Sequence, residues 1–350
     1  MQLMFLNLSN NKNLFIFSLI LFSCASVKGP QGGPLDLIPP ILESTTPSVL
    51  TGLQKNQKII LSFNEFIKEE SLKNAIEIFP SVDEKIDYEY QGKNIVITLP
   101  SSLDKNKTYV LSLNSNFSDE QNVRLKNNII IPLSLSNSID SGKISGKIFG
   151  SFKQPSILLW KDKIDKDIMI NQKPDYILSS SNSFNFDYLP EGAYSVLAVD
   201  FYNRRLPLNE NKISFYNQKF IEVGNNSLNI NFYFNNISVS DSLNIEKDSI
   251  EKTASLFGNL KGNFILPIII ELNGKEDSFE SELSMNGTFR IDDVESGKYQ
   301  LLGYFDRNNN KMLDTGSFDN ENLSEKFFVY PDSLSLRSNW ELEIQDWEIE

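Results

Sequence analysis

Oxygen-bearing side chains recur at alternate positions late in the chain, in the run Asp306-Arg-Asn308-Asn-Asn310-Lys-Met312-Leu-Asp314. Alternate positions of a tight loop can point toward one centre, where carboxylate and amide oxygens and a backbone carbonyl surround a hard cation such as Ca²⁺. The sequence therefore predicts a structural Ca²⁺ site with the ligands Asp306, Asn308, Asn310, Met312 (through its carbonyl) and Asp314. The alternative is an Asn-rich hairpin loop that is simply solvated, and a catalytic metal is not expected.

The spacing of this run resembles the D-x-N-x-N-x-x-x-D loop of dockerin and EF-hand-like sites. Two departures bear on affinity, because Lys311 stands where that loop has its turn glycine and Ser317 where it has a bidentate glutamate. With two carboxylates among its ligands, the resemblance implies a weak site unless Asp319 or Glu321 supplies a further carboxylate.

The single cysteine, Cys24, closely follows an apolar run from Leu14 to Phe22. A helix of this length extends roughly 14 Å at 1.5 Å per residue, about half of a bilayer core, so the run is too short to span a membrane. Its length is typical of the apolar part of a secretory signal peptide. The alternative is an unmodified Cys24 packed at the edge of an apolar helix.

The run Leu21-Phe22-Ser23-Cys24 resembles a bacterial lipobox, in which the cysteine becomes the lipidated first residue of the mature chain. The resemblance implies a lipoprotein signal peptide over residues 1–23, lipidation of Cys24 and a flexible tether over residues 24–35. Because Ala25 rather than an aspartate follows the cysteine, it also implies an outer membrane lipoprotein that faces either the periplasm or the cell surface. The membrane is thus one expected partner, reached through the lipid anchor.

The composition of this 350-residue chain excludes many kinds of catalytic site, because the chain contains no histidine and one cysteine. His-dependent triads and dyads, His-containing zinc or haem sites, intrachain disulfides and thiolate clusters are excluded. The 33 basic and 46 acidic residues give a net charge of −13, which disfavours nucleic acid as a partner. Glu65 is the carboxylate that could be considered catalytic, but the sequence suggests no partner for it. We interpret it as a polar residue at a strand edge and expect no enzymatic activity.

Beyond the tether, hydrophobic residues alternate with a period of two in short runs separated by turn clusters, as in Ile59–Phe63 and Tyr109–Leu113. Runs of about five residues at intervals of about ten are typical of antiparallel β-sandwiches. The pattern predicts an all-β chain of tandem antiparallel β-sandwich domains, which agrees with the two to three domains expected from its length. One or two helical turns are expected around Glu69 to Ala75.

Residues 36–137 resemble the bacterial Ig-like domain found near the N-termini of envelope lipoproteins. The matching features are Asp36 with Pro39-Pro40, Phe63-Asn64-Glu65 closing an early strand, and Thr108-Tyr109 opening a late one. The resemblance implies an Ig-like sandwich whose core includes the phenylalanine and the tyrosine of these motifs.

The rest of the sequence contains an internal repeat with an offset of 105 residues, in which Gly192 and Tyr194 correspond to Gly297 and Tyr299. The shared pattern F-x-[FI]-x-x-[LV]-x-x-G-x-Y resembles transthyretin-like, carboxypeptidase-regulatory-like domains. Each glycine is expected to turn a hairpin at positive φ, and each tyrosine to begin an inward-facing strand.

The resemblance implies two transthyretin-like β-sandwiches, over residues 140–238 and 251–350, the second of which carries the predicted Ca²⁺ loop. Segments rich in Ser, Asn and Asp near 137–142 and 239–252 are expected to be linkers.

The function expected from these features is that of a non-enzymatic, lipid-anchored cell-envelope protein, an array of β domains that is structural or binds another envelope protein. The alternative is a carbohydrate- or peptidoglycan-binding module with Trp340 and Trp347 as an aromatic platform for a glycan. Trp347 is out of phase with the alternation that begins at Trp340, so a bulge or an exposed tail is expected there. The third hypothesis for the function is a hydrolase that uses carboxylates alone.

Overall fold

The computed structural model describes residues 33, 35–179, 182–203, 205–206, 212–224, 228–235, 253–275, 277–318 and 322–349. Cys24, the predicted signal peptide and most of the predicted tether lie outside the described residues, as do Asp319 and Glu321. The described chain is nearly all β, in paired sheets, which confirms the predicted fold class of tandem β-sandwiches.

The first unit contains seven strands in two sheets, of order β1-β2-β5-β4 and β3-β6-β7. Its elements are β1 (Leu42–Thr46), β2 (Lys58–Phe63), α1 (Glu69–Leu72), β3 (Ile76–Phe79), β4 (Asp87–Gln91), β5 (Asn94–Thr98), β6 (Thr108–Leu113) and β7 (Ile129–Ser134). In β2 the alternate residues Ile59, Leu61 and Phe63 are buried between the sheets, as the period of two requires. The expected short helix is present as α1.

The middle unit contains two sheets, one of order β10-β9-β12-β13 with β14 also on β12, and one of order β11-β8-β15 with β16 also on β8. Its elements are β8 (Gly142–Gly150), β9 (Pro155–Lys161), α2 (Lys166–Asn171), β10 (Tyr176–Ser179), β11 (Ser183–Leu189), β12 (Gly192–Asp200), β13 (Ile213–Phe215), β14 (Ile221–Val223), β15 (Leu228–Asn229) and β16 (Phe232–Phe234).

The third unit repeats this arrangement with sheets of order β20-β17-β23 and β19-β18-β21-β22. Its strands are β17 (Ala254–Lys261), β18 (Ile268–Asn273), β19 (Ser278–Glu282), β20 (Thr288–Val294), β21 (Gly297–Phe305), β22 (Phe327–Leu336) and β23 (Glu341–Glu348). In both units the first strand runs parallel to the last, β8 to β16 and β17 to β23, whereas the other described pairs in them are antiparallel apart from β15 with β8.

The two repeat glycines do not turn hairpins, because each lies where the chain crosses from one sheet of the sandwich to the other. Gly192 has the expected positive φ of 125°, but Gly297 does not adopt the left-handed conformation. The crossing is instead held by the tyrosines, since the hydroxyl of Tyr194 donates to the carbonyl of Pro190 and that of Tyr299 to the carbonyl of Glu295, both at 2.9 Å. Both rings are buried, as expected.

Helix α2 was not expected from the sequence, and its position explains why it forms. Its Met169 is buried in an apolar cluster with Trp160, Leu197 and Phe215 on the outer face of the sheet that contains β9 and β12. Strand β12 is therefore covered on both faces, and burial of its outer face stabilises a helix that a six-residue segment would not form alone.

Packed contacts join consecutive units. Between the first and the middle unit, the rings of Phe79 and Tyr176 stack with centroids 6.4 Å apart, and the Ser81 N–H donates to the Asp175 carbonyl at 2.9 Å. Between the middle and the third unit, Tyr233 packs edge-on against Phe327 with centroids 5.7 Å apart. The units are thus tied by hydrogen bonds and aromatic contacts as well as by the chain.

Candidate functional site

The predicted Ca²⁺ loop begins where β21 ends, and it is built around Asp306. This residue is only 2% exposed although it carries a carboxylate. Its Oδ1 accepts a hydrogen bond from the Asn310 N–H at 3.1 Å, and its Oδ2 accepts one from the Lys311 N–H at 3.0 Å. These bonds wrap the next five residues around the carboxylate and satisfy a charge that would be costly to bury alone.

The other predicted ligands lie in the same loop and form a chain of local hydrogen bonds. Asn308 Oδ1 accepts from the Asn310 N–H at 3.1 Å, and Asn310 Oδ1 accepts from the Met312 N–H at 2.8 Å. Both are the two-residue Asx turns that asparagine favours. Asn308 Nδ2 donates to Asp314 Oδ2 at 2.7 Å. The structure therefore brings the four polar residues together, while the side chain of Met312 is exposed.

Lys311 occupies the turn position at which dockerin and EF-hand-like loops have a glycine. Its φ is 59° and that of Asn309 is 57°, so both adopt the left-handed conformation. For a lysine this costs about 1 kcal/mol relative to glycine. Its Nζ forms an ion pair with Glu282 Oε1 at 2.8 Å, on the neighbouring strand β19. The absence of a glycine therefore does not prevent the turn.

Glu325, which the sequence analysis missed, closes the loop from the side of β22. It is buried, its Oε1 accepts from the Arg307 N–H at 2.7 Å, and its Oε2 accepts from the Asp314 N–H at 3.2 Å. Burial raises the pKa of Glu325, and Asp314 and Asp306 add to the rise, while the two N–H donors oppose it. A motif window of twelve residues could not include Glu325, because it follows Asp306 by nineteen positions.

The loop has three carboxylates, those of Asp306, Asp314 and Glu325, and each of their oxygens accepts a hydrogen bond from the loop itself. Asp314 Oδ2 accepts from both Asn308 and Asn310, whereas each of the other five oxygens accepts one described hydrogen bond and has a further lone pair with which it could coordinate a hard cation. The arrangement is chemically suited to structural ion binding or to a self-closed turn. The Ca²⁺ site stays a prediction.

The C-terminal part of the same loop reaches the middle unit. The Phe215 N–H donates to the Thr315 carbonyl at 2.8 Å, and the rings of Phe215 and Phe318 are 4.9 Å apart. Lys166 Nζ donates to the Ser317 carbonyl and lies 4.5 Å from the Phe215 ring centroid. Any change in this loop therefore acts directly on the contact between the middle and the third unit.

The alternative of an aromatic platform formed by Trp340 and Trp347 is wrong. Trp340 is exposed, with the Arg337 guanidinium 5.6 Å from its ring centroid. Trp347 is buried in the core of the third unit, with its ring 5.0 Å from that of Phe328. A register shift in the pairing of β17 with β23 provides the bulge that turns Trp347 inward, so the two tryptophans do not share one surface.

The predicted lipidation site, Cys24, lies outside the described residues. None of the helices in the described part of the chain is long and apolar enough to cross a membrane.

Comparison with known families identifies the first unit. Residues 36–136 match the family described as bacterial Ig-like domain, within one residue of the expected boundary. This part of the chain is therefore a bacterial Ig-like domain. The transthyretin-like resemblance of the other two units stays a prediction.

Solved structures match over larger parts of the chain, but at low similarity. The Bacillus anthracis TIE protein covers 90% of this chain at 12% identity and a TM-score of 0.18, and this chain spans 58% of that structure. GBS52, the minor pilin of Streptococcus agalactiae, covers 59% at 13% identity and a TM-score of 0.17, with 95% of its own length matched.

Native alpha-2-macroglobulin from Escherichia coli, spanning domains MG0-NIE-MG1, covers 85% of this chain at 9% identity and a TM-score of 0.22, with 97% of its own length matched. Scores this low carry no argument about function. A comparison with curated proteins found no match.

Proposed function

We propose that this chain is a non-enzymatic, lipid-anchored protein of the bacterial cell envelope, in which three β-sandwich units form a structural or protein-binding array. The observation that carries this proposal is that consecutive units are docked on each other. Backbone hydrogen bonds cross both junctions, from Ser81 to Asp175 and from Phe215 to Thr315. Bonds between main chains fix the relative orientation of two units more tightly than a flexible linker would, which suits a spacer or a rigid support.

The anchor in this proposal is the lipidated Cys24. Two or more acyl chains give stable membrane attachment, whereas one chain binds only marginally. The match to a bacterial Ig-like domain supports a location outside the cytoplasm. The resemblance to a lipobox followed by Ala25 supports the outer membrane, with the array facing the periplasm or the cell surface.

The anchor is tested by Cys24→Ser. The expected result is a chain that is released from the envelope fraction or accumulates with its signal peptide uncleaved, while the parent remains in the membrane. Fractionation of the variant with the envelope, processed as the parent is, would overturn the anchor.

The proposed partner is another envelope protein or a glycan. Exposed apolar side chains at the loop tips of the third unit, Ile265 and Met285, are 81% and 92% exposed and support binding there. A photo-crosslinking residue at position 285 should capture one defined species from intact cells, and the same residue at Val49 of the first unit serves as the matched control. Identical capture at both positions, or none at 285, would contradict binding through the third unit.

A glycan-binding role is the second candidate, and the exposed Trp340 beside Arg337 favours it. A glycan array should then show binding by the parent that Trp340→Ala abolishes. Trp347→Ala is not a suitable variant, because that ring is part of the core.

A further inference from the structure

Three carboxylates from distant parts of the chain converge in the first unit. Asp36 lies ahead of β1, Glu65 follows β2 and Asp119 follows β6. One oxygen from each lies within 4.8 Å of the oxygens of the other two. Glu65, for which the local sequence suggests no partner, has two in the folded chain, one 29 residues before it and the other 54 residues after it.

The segments that carry these residues are held in place by their own backbones. The Asn64 side chain accepts from the Ile41 N–H at 2.7 Å, and the Asn64 N–H donates to the Ile41 carbonyl at 3.1 Å. On the other side, the Glu120 N–H donates to the Phe66 carbonyl at 3.3 Å. The three carboxylates are therefore brought together by the fold itself, although their mutual repulsion opposes it.

Asp119 is the most informative of the three, because it is fully buried. Its Oδ1 accepts from the Val123 N–H at 2.8 Å. Its Oδ2 is buried with no hydrogen-bond partner among the described residues. A buried anionic oxygen without a partner is costly, so a proton or a cation is needed to neutralise it.

The nearby basic side chains do not supply that cation. Lys93 Nζ donates to the Asn64 carbonyl at 2.7 Å and lies near the Phe66 ring, and Lys68 Nζ donates to Asn122 Oδ1. Within the described part of the chain, no lysine or arginine forms an ion pair with any of the three carboxylates. Burial raises the pKa of Glu65, the charges of Asp119 and Asp36 raise it further, and the Asn64 side chain and the charge of Lys93 oppose the rise.

We propose that Asp36, Glu65 and Asp119 form a divalent-cation site in the first unit, with Ca²⁺ as its ligand. The donors are carboxylate oxygens alone, which suit hard cations and not zinc or copper. The positions are set by two loops and a leading segment rather than by one rigid element, and Ca²⁺ tolerates such irregular geometry better than Mg²⁺, which requires a tight octahedron. A Ca²⁺ ion would neutralise two of the three negative charges and give Asp119 Oδ2 its missing partner.

The site has a mechanical role at the membrane end of the array. The leading segment, residues 36–41, exposes Leu37, Ile38 and Ile41, and only its Pro40 is buried. Asp36 belongs to this segment, while Glu65 and Asp119 belong to the body of the unit. A shared cation therefore fastens the chain that leads to the predicted lipid tether onto the first unit. This role is independent of the predicted loop in the third unit.

The experiment measures bound Ca²⁺ and thermal unfolding of the full chain in detergent, in calcium and in chelator. All variants carry Asp306→Asn and Asp314→Asn, so that the predicted loop of the third unit does not contribute. The parent of this series should bind one Ca²⁺, with a Kd on the order of 10⁻⁴ M. Asp119→Asn, which keeps the oxygen that accepts from Val123, should weaken binding at least about tenfold. The matched control is Glu120→Gln, the exposed neighbouring carboxylate.

Glu65→Gln provides a second variant should Asp119→Asn not fold, and it should weaken binding similarly. Melting of the first unit should rise in calcium for the parent and the control, and should not change for either site variant. Absence of Ca²⁺ binding by the parent would overturn the site. Binding that both site variants retain would overturn the assignment of these residues.

Discussion

The loops that follow β12 and β21 start from the same scaffold and use it differently. Both strands have nine residues, start at a repeat glycine and carry a tyrosine whose hydroxyl closes the sheet crossing. A buried aspartate stands at the end of each, Asp200 in the middle unit and Asp306 in the third. Asp200 Oδ1 accepts from the N–H groups of Lys153 and Gln154 at 3.0 and 2.8 Å, so it holds the connection between β8 and β9.

Asp306 instead organises the residues that follow it. The fold thus provides a buried carboxylate at the end of this strand, and the adjoining backbone determines what the carboxylate does. In the middle unit it fastens an existing connection, and in the third unit it creates a compact polar loop that reaches a neighbouring unit.

The largest difference between the two units is expected at Gly146, which lies beside Ile230 between β15 and β16, and at Gly258, which lies beside the last strand β23. A Cβ at Gly146 would lie 1.6 Å from the Ile230 carbonyl oxygen, whereas one at Gly258 would lie 2.8 Å from Ile344. Gly146→Ala should therefore lower the free energy of unfolding of the middle unit by more than about 3 kcal/mol, and Gly258→Ala that of the third unit by about 1–2 kcal/mol. Calorimetry of the full chain measures both.

The control for this pair is Gly224→Ala, because among the described residues no atom beyond its chain neighbours lies within 4 Å of a Cβ there. It should leave the melting profile close to that of the parent. A loss for Gly258→Ala equal to or greater than that for Gly146→Ala would contradict the comparison.

Removal of the two buried carboxylates should expose different segments. Asp200→Ala leaves the N–H groups of Lys153 and Gln154 without acceptors, which should cost about 2–3 kcal/mol in the middle unit. Asp306→Ala leaves the Lys311 N–H without an acceptor, because the Asn310 N–H still donates to Asn308 Oδ1, and this should cost about 1–2 kcal/mol in the third unit. Hydrogen exchange should increase around residues 151–154 for Asp200→Ala and around 307–312 for Asp306→Ala. Exchange that increases at the same segments in both variants would show that the two aspartates play one common role.

Calcium should distinguish the two loops if the predicted ion is bound. For a Kd of roughly 10⁻⁴ to 10⁻³ M, about 1 mM Ca²⁺ stabilises the third unit by roughly 0.4 to 1.4 kcal/mol. Melting of the third unit should rise by a few degrees and that of the middle unit should not change, and Asp314→Asn should remove the rise. Mg²⁺ should raise the melting temperature of the third unit by less than Ca²⁺ does. Equal melting of the third unit in calcium and in chelator would favour the self-closed turn.

The smallest effect is that of pH through Glu325. Because its pKa is raised in the folded chain above the usual 4.5, the folded state binds the proton more readily than the unfolded state. The contribution of this group to stability is therefore lost as pH rises from about 4.5 through the folded pKa. Glu325→Gln should flatten that part of the profile when unfolding is followed from pH 4.5 to 7. A profile unchanged by the substitution would contradict the assignment.

What the sequence could predict here is what local pattern encodes. Alternation in segments such as Ile59–Phe63 directly predicts which residues face a core. The alternate oxygen-bearing residues that begin at Asp306 predict that these side chains come together in one loop. Helix α2 was missed because it forms only against the apolar outer face of a sheet, which local sequence does not reveal. The convergence of Asp36, Glu65 and Asp119 could not be predicted either, since it depends on how three segments meet across two sheets.

Gly297 shows a different limit of the sequence pattern. The internal repeat correctly aligns Gly297 with Gly192, but of these two glycines only Gly192 has a positive φ. At Gly297 a Cβ would lie 3.1 Å from the Tyr299 ring, so a close approach of the tyrosine, rather than backbone conformation, favours glycine there. One motif position can thus require glycine for two physical reasons, and the sequence does not distinguish them.

The parallel pairing of first and last strands determines how each of the two later units would respond to tension. Because β17 and β23 run in the same direction, the chain enters the unit at one end and leaves at the other. Pulling on the two ends slides these strands lengthwise past each other, and the hydrogen bonds between them resist together rather than opening one after another. The third unit pairs these strands over six residue positions, whereas the middle unit pairs β8 with β15 over two and with β16 over three. Stretched at its two ends, the array should therefore yield first in the middle unit, where the pairing is divided between two short strands, and the third unit should keep its shape at higher force.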